Sequence, residues 1–505
     1  MSATLSAKAP PRSAASGRHR AVLIAMCACV LVAQSLVAAI NLAIPQLSAS
    51  DLRPSPSQLL WIVDTYVIVF AGLLIPAGAL GDRLGRKGVL LAGLSLFTGG
   101  AALCALATTV PLLLAGRGVS GAGAALMMPA TMSLLLQVTA PERRAAAIAG
   151  WSSALAVGGI LGNTGGALII EYLPWQGLFW AYVPLGAALL LWAARVAPRA
   201  PRGTANLDAP GSALLILGLF ALLYGIIEAP GHGWGSTPVL GAFGLAALLL
   251  ALFTWHGLRA AQPVLDPRVF RLPAVRAGAL GIAAAFFGMF ALFYVNAQFL
   301  QYVKGFSALQ AGIGVLPAAV GMMLVTQRSI GWARRLGTRP TVVTGLLLLA
   351  AGLTAMSTAD SGTPYPLYAA YMLITATGCG MTMPSLSHSV ITALPQTKAG
   401  VGSGLNAAAR ELGAALGIAV IGTALSIRFS DRLPAALGDN SDSAAQALAA
   451  ASRLGDGVRR EVVSAYTDAV GVGYRIAAVV LVVLATVVAA WLRPPATEAG
   501  GGARP

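Results

Sequence analysis

The chain has 505 residues, of which 57% are hydrophobic and only 10% are charged, and its mean hydropathy is +0.78. A soluble protein of this size would need far more charge on its surface, so the composition excludes a soluble globular protein and indicates a lipid bilayer as solvent. The net charge of +16 comes mainly from basic residues in the loops predicted below to be cytoplasmic. Membrane topology therefore accounts for this charge, which argues against a nucleic-acid partner.

Apolar runs of about twenty residues, the length that crosses ~30 Å of hydrocarbon, recur along the whole chain. Backbone polar groups in lipid must be hydrogen-bonded within their own segment, so we predict that each run is an α-helix. The predicted fold is an all-α polytopic membrane protein with fourteen transmembrane helices. The predicted spans are 21–44, 60–80, 88–108, 111–137, 144–170, 177–195, 210–228, 238–257, 276–302, 306–327, 340–357, 365–393, 401–427 and 473–492.

Lysine and arginine are distributed unevenly between the loops. If the N-terminus is cytoplasmic, the short outer loops hold only Arg53 and Lys304, whereas most other basic residues lie in inner loops and tails. This positive-inside pattern predicts that both termini are cytoplasmic. The first apolar run is too long for a signal-peptide core, so we expect a retained first helix. The preference for arginine over lysine and the abundance of alanine indicate a bacterial protein, and hence the inner (cytoplasmic) membrane.

Three short patterns of the first half recur in the second half at a nearly constant offset of 252 to 255 residues. A constant offset at separated positions predicts two related halves of six helices, with the seventh and eighth spans as an inserted pair. The recurring pairs are RLGRK at 83–87 with RLGTR at 335–339, MMPA at 127–130 with TMPS at 382–385, and APERRAA at 140–146 with LPQTKAG at 394–400.

The predicted organisation follows from the spans, the repeat and the polar linkers. Residues 428–472 form the one long outer loop, which is expected to be a partly helical cap or a flexible segment because it carries charges of both signs. The predicted segments are an N-terminal tail at 1–20, a six-helix half at 21–195, a linker at 196–209, the inserted helices at 210–257, a second linker at 258–275, the second half at 276–492, and a tail at 493–505.

The strongest motif is GALGDRLGRKG at 78–88, in the short inner turn between the second and third spans. Its glycines permit a tight turn, and its acid can cap a helix end and pair with arginines. The motif resembles the signature turn of the major facilitator superfamily, which acts there as a cytoplasmic latch between the two halves. The resemblance assigns this latch role to Gly78, Leu80, Asp82, Arg83, Gly85, Arg86 and Lys87.

Other stretches resemble the fourteen-helix drug:proton antiporter branch of that superfamily, over almost the whole chain. LLLAGRGVSGAGAALMMP at 112–129 resembles its fourth-helix motif and puts Arg117 inside the membrane. Residues 207–219 and 399–420 also resemble that branch. The stretch at 59–87 resembles exporters of quaternary ammonium and other lipophilic cationic drugs, in which the matching second-helix acid takes part in coupling or substrate binding.

Two positions depart from that pattern. Leu36 stands in the first span where many relatives carry an acid. The fifth-helix antiporter motif, usually G-P-x-x-G-G, reads GNTGGA at 162–167, so that Asn163 replaces the proline and Ala167 replaces the last glycine. The remaining glycines still permit close helix packing. The motif residues carried over by the resemblance are Gly158, Gly162, Asn163, Gly165 and Gly166.

One acid, Asp64, interrupts the apolar stretch LLWIVDTYVIVF at 59–70. A carboxylate at bilayer depth costs ~2.5–3.5 kcal/mol, so such a residue usually faces a cavity or a partner. Asp64 and Arg117 each lie six residues, ~9 Å, inside the outer end of parallel helices. We predict that Asp64 gains and loses a proton and that Arg117 tunes this exchange. The alternatives are a static ion pair and a carboxylate that reaches outward beside Trp61.

Other polar side chains within the spans are predicted to face the bundle interior. Arg410 and Glu411 are placed near the inner end of the thirteenth span, where a structural role at the helix boundary is the simpler interpretation. Glu171 and Glu228 are placed at outer helix ends, where water can solvate them. The predicted substrate cavity contains Gln34, Asn41, Trp61, Tyr294, Asn296, Gln298 and Gln301.

The sequence lacks a G-x-x-x-x-G-K-[ST] loop, an H-E-x-x-H or G-x-S-x-G motif, and a Cys/His metal cluster. We therefore predict no ATP site, no cofactor, no metal site and no enzymatic activity. The predicted function is a monomeric secondary transporter in the membrane lipid, which uses the proton gradient to export small lipophilic or cationic compounds, either drugs or natural products (drug:proton antiport). An importer or uniporter of the same fold is the first alternative, and a membrane-embedded enzyme or sensor is the second.

Overall fold

The computed structural model describes residues 12–199, 208–261, 263, 265–393, 399–434, 437 and 444–492. In these residues the regular structure is helical, with two short 3₁₀ turns at Pro141–Arg143 and Pro267–Arg271. The α-helices of this part of the chain are α1 (Arg12–Ser48), α2 (Pro56–Leu84), α3 (Arg86–Ala105), α4 (Val110–Val138), α5 (Arg144–Tyr172), α6 (Trp175–Val196), α7 (Ala209–His232), α8 (Thr237–Arg259), α9 (Pro273–Tyr302), α10 (Ala308–Ile313), α11 (Leu316–Leu336), α12 (Thr338–Met356), α13 (Tyr365–Ala393), α14 (Ala399–Ser430), α15 (Ala444–Leu454) and α16 (Asp456–Trp491).

The long helices correspond to the predicted spans. Within the described residues, 13 helical stretches are long and apolar enough to cross a membrane, with α10 and α11 together forming one of them. The twelfth predicted span, α13, is a helix of 29 residues whose threonines, glycines and serines lower its apolar character. With α13 included, the prediction of an all-α protein with fourteen transmembrane helices is confirmed.

The internal repeat is visible in the turns of the two halves. α1–α6 form the first half, and α9–α14 together with α16 form the second. Gly85, between α2 and α3, has a φ of 99°, and Gly337, between α11 and α12, has a φ of 95°. This left-handed region is open to glycine and strained for other residues. The RLGRK and RLGTR patterns therefore make the same turn at equivalent positions.

Helix packing repeats in the same way. A Cβ atom on Gly93 in α3 would lie 2.8 Å from the carbonyl oxygen of Gly123 in α4. A Cβ atom on Gly345 in α12 would lie 2.8 Å from the carbonyl oxygen of Gly378 in α13. Both helix pairs thus approach so closely that only glycine fits at the contact, which is the usual role of small residues between membrane helices.

The outer loop is shorter than its predicted extent of 428–472. α14 continues to Ser430, and the last span is continuous with a helix that begins at Asp456. Charged residues end the apolar run there, but they do not end the helix, because the buried residues keep helical spacing. The buried positions of the extension are Val462, Ala465, Tyr466, Ala469, Val470 and Gly471.

The inserted helices form a hairpin beside the two halves. α8 packs on α7, and α7 contacts both halves. The Trp61 indole of α2 donates a 2.9 Å hydrogen bond to the Glu228 carboxylate of α7, and its ring lies 5.0 Å from that of Phe220. The Thr423 hydroxyl of α14 donates to the Ile226 carbonyl of α7 at 3.2 Å. α7 therefore covers the line along which α2 and α14 meet.

Candidate coupling site at the seam between the halves

Asp64 lies in the interior of the protein. Its side chain is 0% exposed, and neither carboxylate oxygen has a hydrogen-bond partner. It interacts electrostatically with Arg117 of α4 and with Tyr294 of α9, which belongs to the second half. Asp64 is therefore located at the seam, by which we mean the interface of α1, α2 and α5 with α9, α10 and α14.

Arg117 is held by the backbone of α2. Its Nε donates to the Ile62 carbonyl at 2.8 Å, and one terminal nitrogen donates to the Val63 carbonyl at 3.2 Å. The guanidinium carbon lies 4.7 Å from the centre of the Tyr66 ring. These contacts fix a positive charge beside Asp64 without a hydrogen bond between the two side chains. The buried position excludes a carboxylate that reaches outward beside Trp61, while proton exchange at Asp64 and a static ion pair with Arg117 both stay predictions.

The seam is closed at the end where α1 ends and α2 begins, which the predicted topology places on the outer side. Gly312 of α10 packs directly against the Asn163 carbonyl and the Ala167 methyl group of α5. Nearby, the Leu309 amide of α10 donates a 3.1 Å hydrogen bond to the Glu171 carboxylate. Asn163, which replaces the usual proline, thus lies at a contact between the halves.

Two further helix pairs close the same end. Leu60 of α2 packs against Gly422 of α14, with the Leu60 Cγ 3.2 Å from the position that a Cβ of Gly422 would occupy. Tyr302 of α9 and Ser48 of α1 line the same small cavity and lie close to each other. These contacts and those of α5 with α10 close the seam between Asp64 and this end of the molecule.

The fifth-helix glycines pack α5 against α1. A Cβ atom on Gly162 would overlap the backbone of Ser35, and Gly158 and Gly166 face α1 one turn away on either side. Gly165 has no atom within 4 Å of its Cβ position. Three of the predicted motif glycines therefore hold two helices of the first half together, and Gly165 lies outside this contact.

The GALGDRLGRKG motif forms the turn between α2 and α3. The Lys87 ammonium donates a 2.7 Å hydrogen bond to the Ala194 carbonyl at the end of α6, in the same half. Arg83 is exposed, and Leu80 and Arg86 are half-buried, while the Asp82 side chain lies outside the described residues. Gly78 is the first glycine of the motif, and a Cβ atom added to it would lie 3.8 Å from the Pro129 Cβ of α4. The role of this motif as a latch between the halves stays a prediction.

Of the predicted cavity residues, Tyr294 and Gln298 lie at the seam. They line a cavity of about 40 Å³, whose wall is formed by residues of both halves, such as Leu59 of α2 and Leu425 of α14. Gln34 is half-buried beside Gly158, and Asn41 is buried with an unpartnered Oδ1. Gln301 is half-buried and donates to a carbonyl of its own helix, α9, at 3.2 Å.

The structure places two predicted cavity residues elsewhere. Trp61 packs on α7, because its indole nitrogen finds the Glu228 carboxylate there. Asn296 accepts a 2.9 Å hydrogen bond from the Tyr368 hydroxyl of α13, inside the second half. Polarity within a span indicates burial, but the direction in which the side chain points also depends on partners that the sequence does not reveal.

Two acids differ from their sequence interpretation. Glu228 is engaged by Trp61 and is not simply solvated. Glu411 is 6% exposed and lies twelve residues from the start of α14, which extends from Ala399 to Ser430, so it is buried inside this helix and not at its boundary. Its Oε1 lies 3.3 Å from a terminal nitrogen of Arg410. An acid inside an apolar helix was the available signal for Glu411, as it was for Asp64.

Comparison with curated proteins gives relatives along most of the chain. The cephamycin export protein CmcT of Amycolatopsis lactamdurans is 35% identical over 392 residues, which cover 76% of this chain and 80% of that protein. The tetracenomycin C resistance and export protein of Streptomyces glaucescens is 32% identical, with 84% and 79% covered. The multidrug efflux pump LfrA of Mycolicibacterium smegmatis is 30% identical, with 81% and 82% covered.

Solved structures share the fold. A bacterial homologue of the human lysosomal transporter Spinster, inward-facing and unoccupied, superposes with a TM-score of 0.66 at 18% identity, covering 96% of this chain and 97% of that one. The inward-open xylose transporter XylE from E. coli gives a TM-score of 0.61 at 16% identity, with 95% and 98% covered. The family model of the Major Facilitator Superfamily matches residues 26–418. This multi-pass membrane protein therefore belongs to the Major Facilitator Superfamily.

Proposed function

We propose that this protein is a transporter that exports small lipophilic or cationic compounds, drugs or natural products, in exchange for protons. The similar curated proteins are named as export, resistance and efflux proteins, which supports export and gives no support to an enzyme. The observation that carries the proton coupling is Asp64, a buried carboxyl group at the seam without a hydrogen-bond partner. Such a group is costly in an apolar interior, which is why a titratable role accounts for it.

The proposed cycle is alternating access by rocking of the two halves around the seam. Opening of the outer contacts would expose Asp64 to the outer solution, where it binds a proton, and their closure would return it to the interior. Arg117 stays fixed by the α2 carbonyls, so proton binding changes the charge of the site by one unit. One proton moving inward through 100 mV supplies ~2.3 kcal/mol, enough for roughly a fifty-fold gradient of an uncharged cargo. Exchange of one proton for one monovalent cation moves no net charge and is driven by the pH difference alone.

The test uses inside-out membrane vesicles with an acidified lumen and a fluorescent pH probe. Addition of ethidium to vesicles with the native protein should release protons from the lumen. Asp64→Asn should abolish this release, because the amide cannot exchange a proton, while ethidium binding to the purified variant persists. Proton release by Asp64→Asn at the native rate would contradict the proposal.

Asp360→Asn is the matched control. Asp360 lies in the outer turn before α13, where its carboxylate accepts hydrogen bonds of 2.8 Å from the amide and the hydroxyl of Thr363. An asparagine oxygen can accept the same bonds, so proton release should be native. Ethidium movement without proton release in the native protein would indicate a uniporter, and uptake into energised cells would indicate an importer.

A further inference from the structure

Glu411 is a second carboxylate within the membrane, separate from Asp64. Its side chain is 7% exposed, and its position near the middle of α14 puts it far from either end of that helix. Like Asp64, it is buried inside a membrane-spanning helix, where a charge needs a partner. The proton-exchange mechanism proposed above does not use it.

The partner that Glu411 has is its own neighbour in the chain, Arg410. Adjacent residues on a helix point in directions about 100° apart, so their side chains do not normally face each other. The Arg410 guanidinium turns back to reach Glu411, with one nitrogen 3.3 Å from Oε1 and its Nε without a hydrogen-bond partner. This single contact is much weaker than the two-pronged pairing that an arginine and a carboxylate can form.

The surroundings of Glu411 suit a lipophilic cation. Tyr66 of α2, across the seam, interacts electrostatically with Glu411. Phe286 of α9 lies on the other side of the pair, with the Arg410 guanidinium carbon 5.1 Å from its ring centre. A carboxylate whose cationic partner lies over an aromatic ring is an arrangement in which a large organic cation can take the place of that partner, through charge and cation–π attraction.

We propose that Glu411 binds the positive charge of a cationic cargo and that Arg410 occupies this place in the empty protein. Arriving cargo displaces the Arg410 guanidinium, which then keeps its contact with Phe286. Two carboxyl groups thus have separate tasks, Asp64 for the proton and Glu411 for the cargo charge. This assignment rests on the proposed function, in that it takes cationic compounds to be among the exported cargo.

The test is equilibrium binding of tetraphenylphosphonium to the purified full-length protein in detergent, without a proton gradient. Arg410→Gln should tighten the Kd by roughly three- to tenfold, because the competing cation is removed. Glu411→Gln should weaken it by roughly tenfold or more, and Arg410→Gln combined with Glu411→Gln should be as weak as Glu411→Gln alone. Triphenylphosphine oxide, an uncharged compound of related shape, should bind all variants equally.

A tighter Kd in Arg410→Gln is the outcome that a purely structural pair would not give. The proposal is overturned if Arg410→Gln leaves tetraphenylphosphonium binding unchanged or weakens it, or if both compounds lose affinity equally in Glu411→Gln. Should Glu411→Gln fail to fold, Arg410→Gln alone still decides, since it leaves the acid in place. Because no gradient is present, this result is independent of proton release in the vesicle experiment.

Discussion

At the scale of single residues, Arg117 shows how a buried charge is kept in the membrane. Its guanidinium divides its donors between two successive carbonyls of α2, Ile62 and Val63, and places its face near the Tyr66 ring. A planar group with several donors in fixed directions can make these contacts together, whereas an ammonium group cannot. The positive charge beside Asp64 is therefore part of the packing of α4 on α2.

Arg117→Lys is accordingly expected to destabilise the protein although the charge is conserved. Loss of one of the two buried hydrogen bonds and of the ring contact should cost about 1–3 kcal/mol. Thermal unfolding of the purified protein in detergent should show this as a lower apparent Tm. Arg428→Lys is the control, because the side chains of Arg428 and its partner Asp468 are both about one third exposed to solvent. A change of about 0.5 kcal/mol or less is expected at such a pair. Equal Tm values for the two variants would refute this account of Arg117.

The sequence predicts the depth of a residue in the membrane better than its direction. Asp64 and Arg117 were expected at similar depth on parallel helices, and the structure brings them within electrostatic reach. The bonds of Arg117 to α2 carbonyls could not be foreseen, because they depend on how α2 and α4 rotate about their axes. The burial of Glu411 could not be foreseen for a related reason, since it depends on which face of α14 packs against neighbouring helices and not on the helix bounds, which were predicted within a few residues.

At the scale of helices, α5 offers a matched pair of glycines. Gly162 packs on the α1 backbone at Ser35, whereas Gly165 faces open space. Gly162→Ala should push α1 and α5 apart and cost about 1–3 kcal/mol, as overpacking does. Gly165→Ala should be neutral or stabilise by up to about 1 kcal/mol, because alanine favours the helix. Thermal unfolding of both variants checks this, and similar shifts of the same sign would contradict the assignment of the packed face.

The Trp61–Glu228 hydrogen bond should anchor the inserted hairpin. Trp61→Phe retains an aromatic ring against Phe220 but removes the indole donor, which leaves the carboxylate on α7 without this partner. Backbone amides of α7 should then exchange hydrogen faster in mass-spectrometric measurements. Amides of α12, which belongs to the second half, serve as the control in the same molecule. Unchanged exchange in α7 would show that its ring contacts alone hold it.

At the scale of the whole molecule, the repeat predicts the two halves but leaves their relative orientation open. The offset between RLGRK and RLGTR reappears as equivalent turns at Gly85 and Gly337. Which end of the seam is closed cannot be read from such patterns, because the proposed cycle requires one sequence to specify both an inward-open and an outward-open state. The outer closure depends on contacts between residues distant in sequence, such as Leu60 with Gly422.

Locking this closure with a disulfide tests whether the seam must open. The Leu60 Cγ lies 3.2 Å from the position that a Gly422 Cβ would occupy. In the double variant Leu60→Cys, Gly422→Cys one sulfur atom takes the place of that Cγ, and this spacing suits a disulfide. Oxidation should abolish export of ethidium from cells while reduction restores it, because the halves can no longer separate at the outer end. Binding of tetraphenylphosphonium should survive, since the lock leaves the Glu411 region untouched.

The control is a disulfide that the proposed movement would not strain. Gly218→Cys with Leu249→Cys joins α7 to α8 within the inserted hairpin, where a Gly218 Cβ would lie 3.4 Å from the Leu249 Cβ. Oxidation of this pair should leave export unchanged, which also excludes damage by the oxidant to the four native cysteines, none of which forms a disulfide. Continued export by the fully oxidised Leu60→Cys, Gly422→Cys protein would mean that the cargo leaves without separation of α2 from α14, and rocking of rigid halves would then be the wrong description of this transporter.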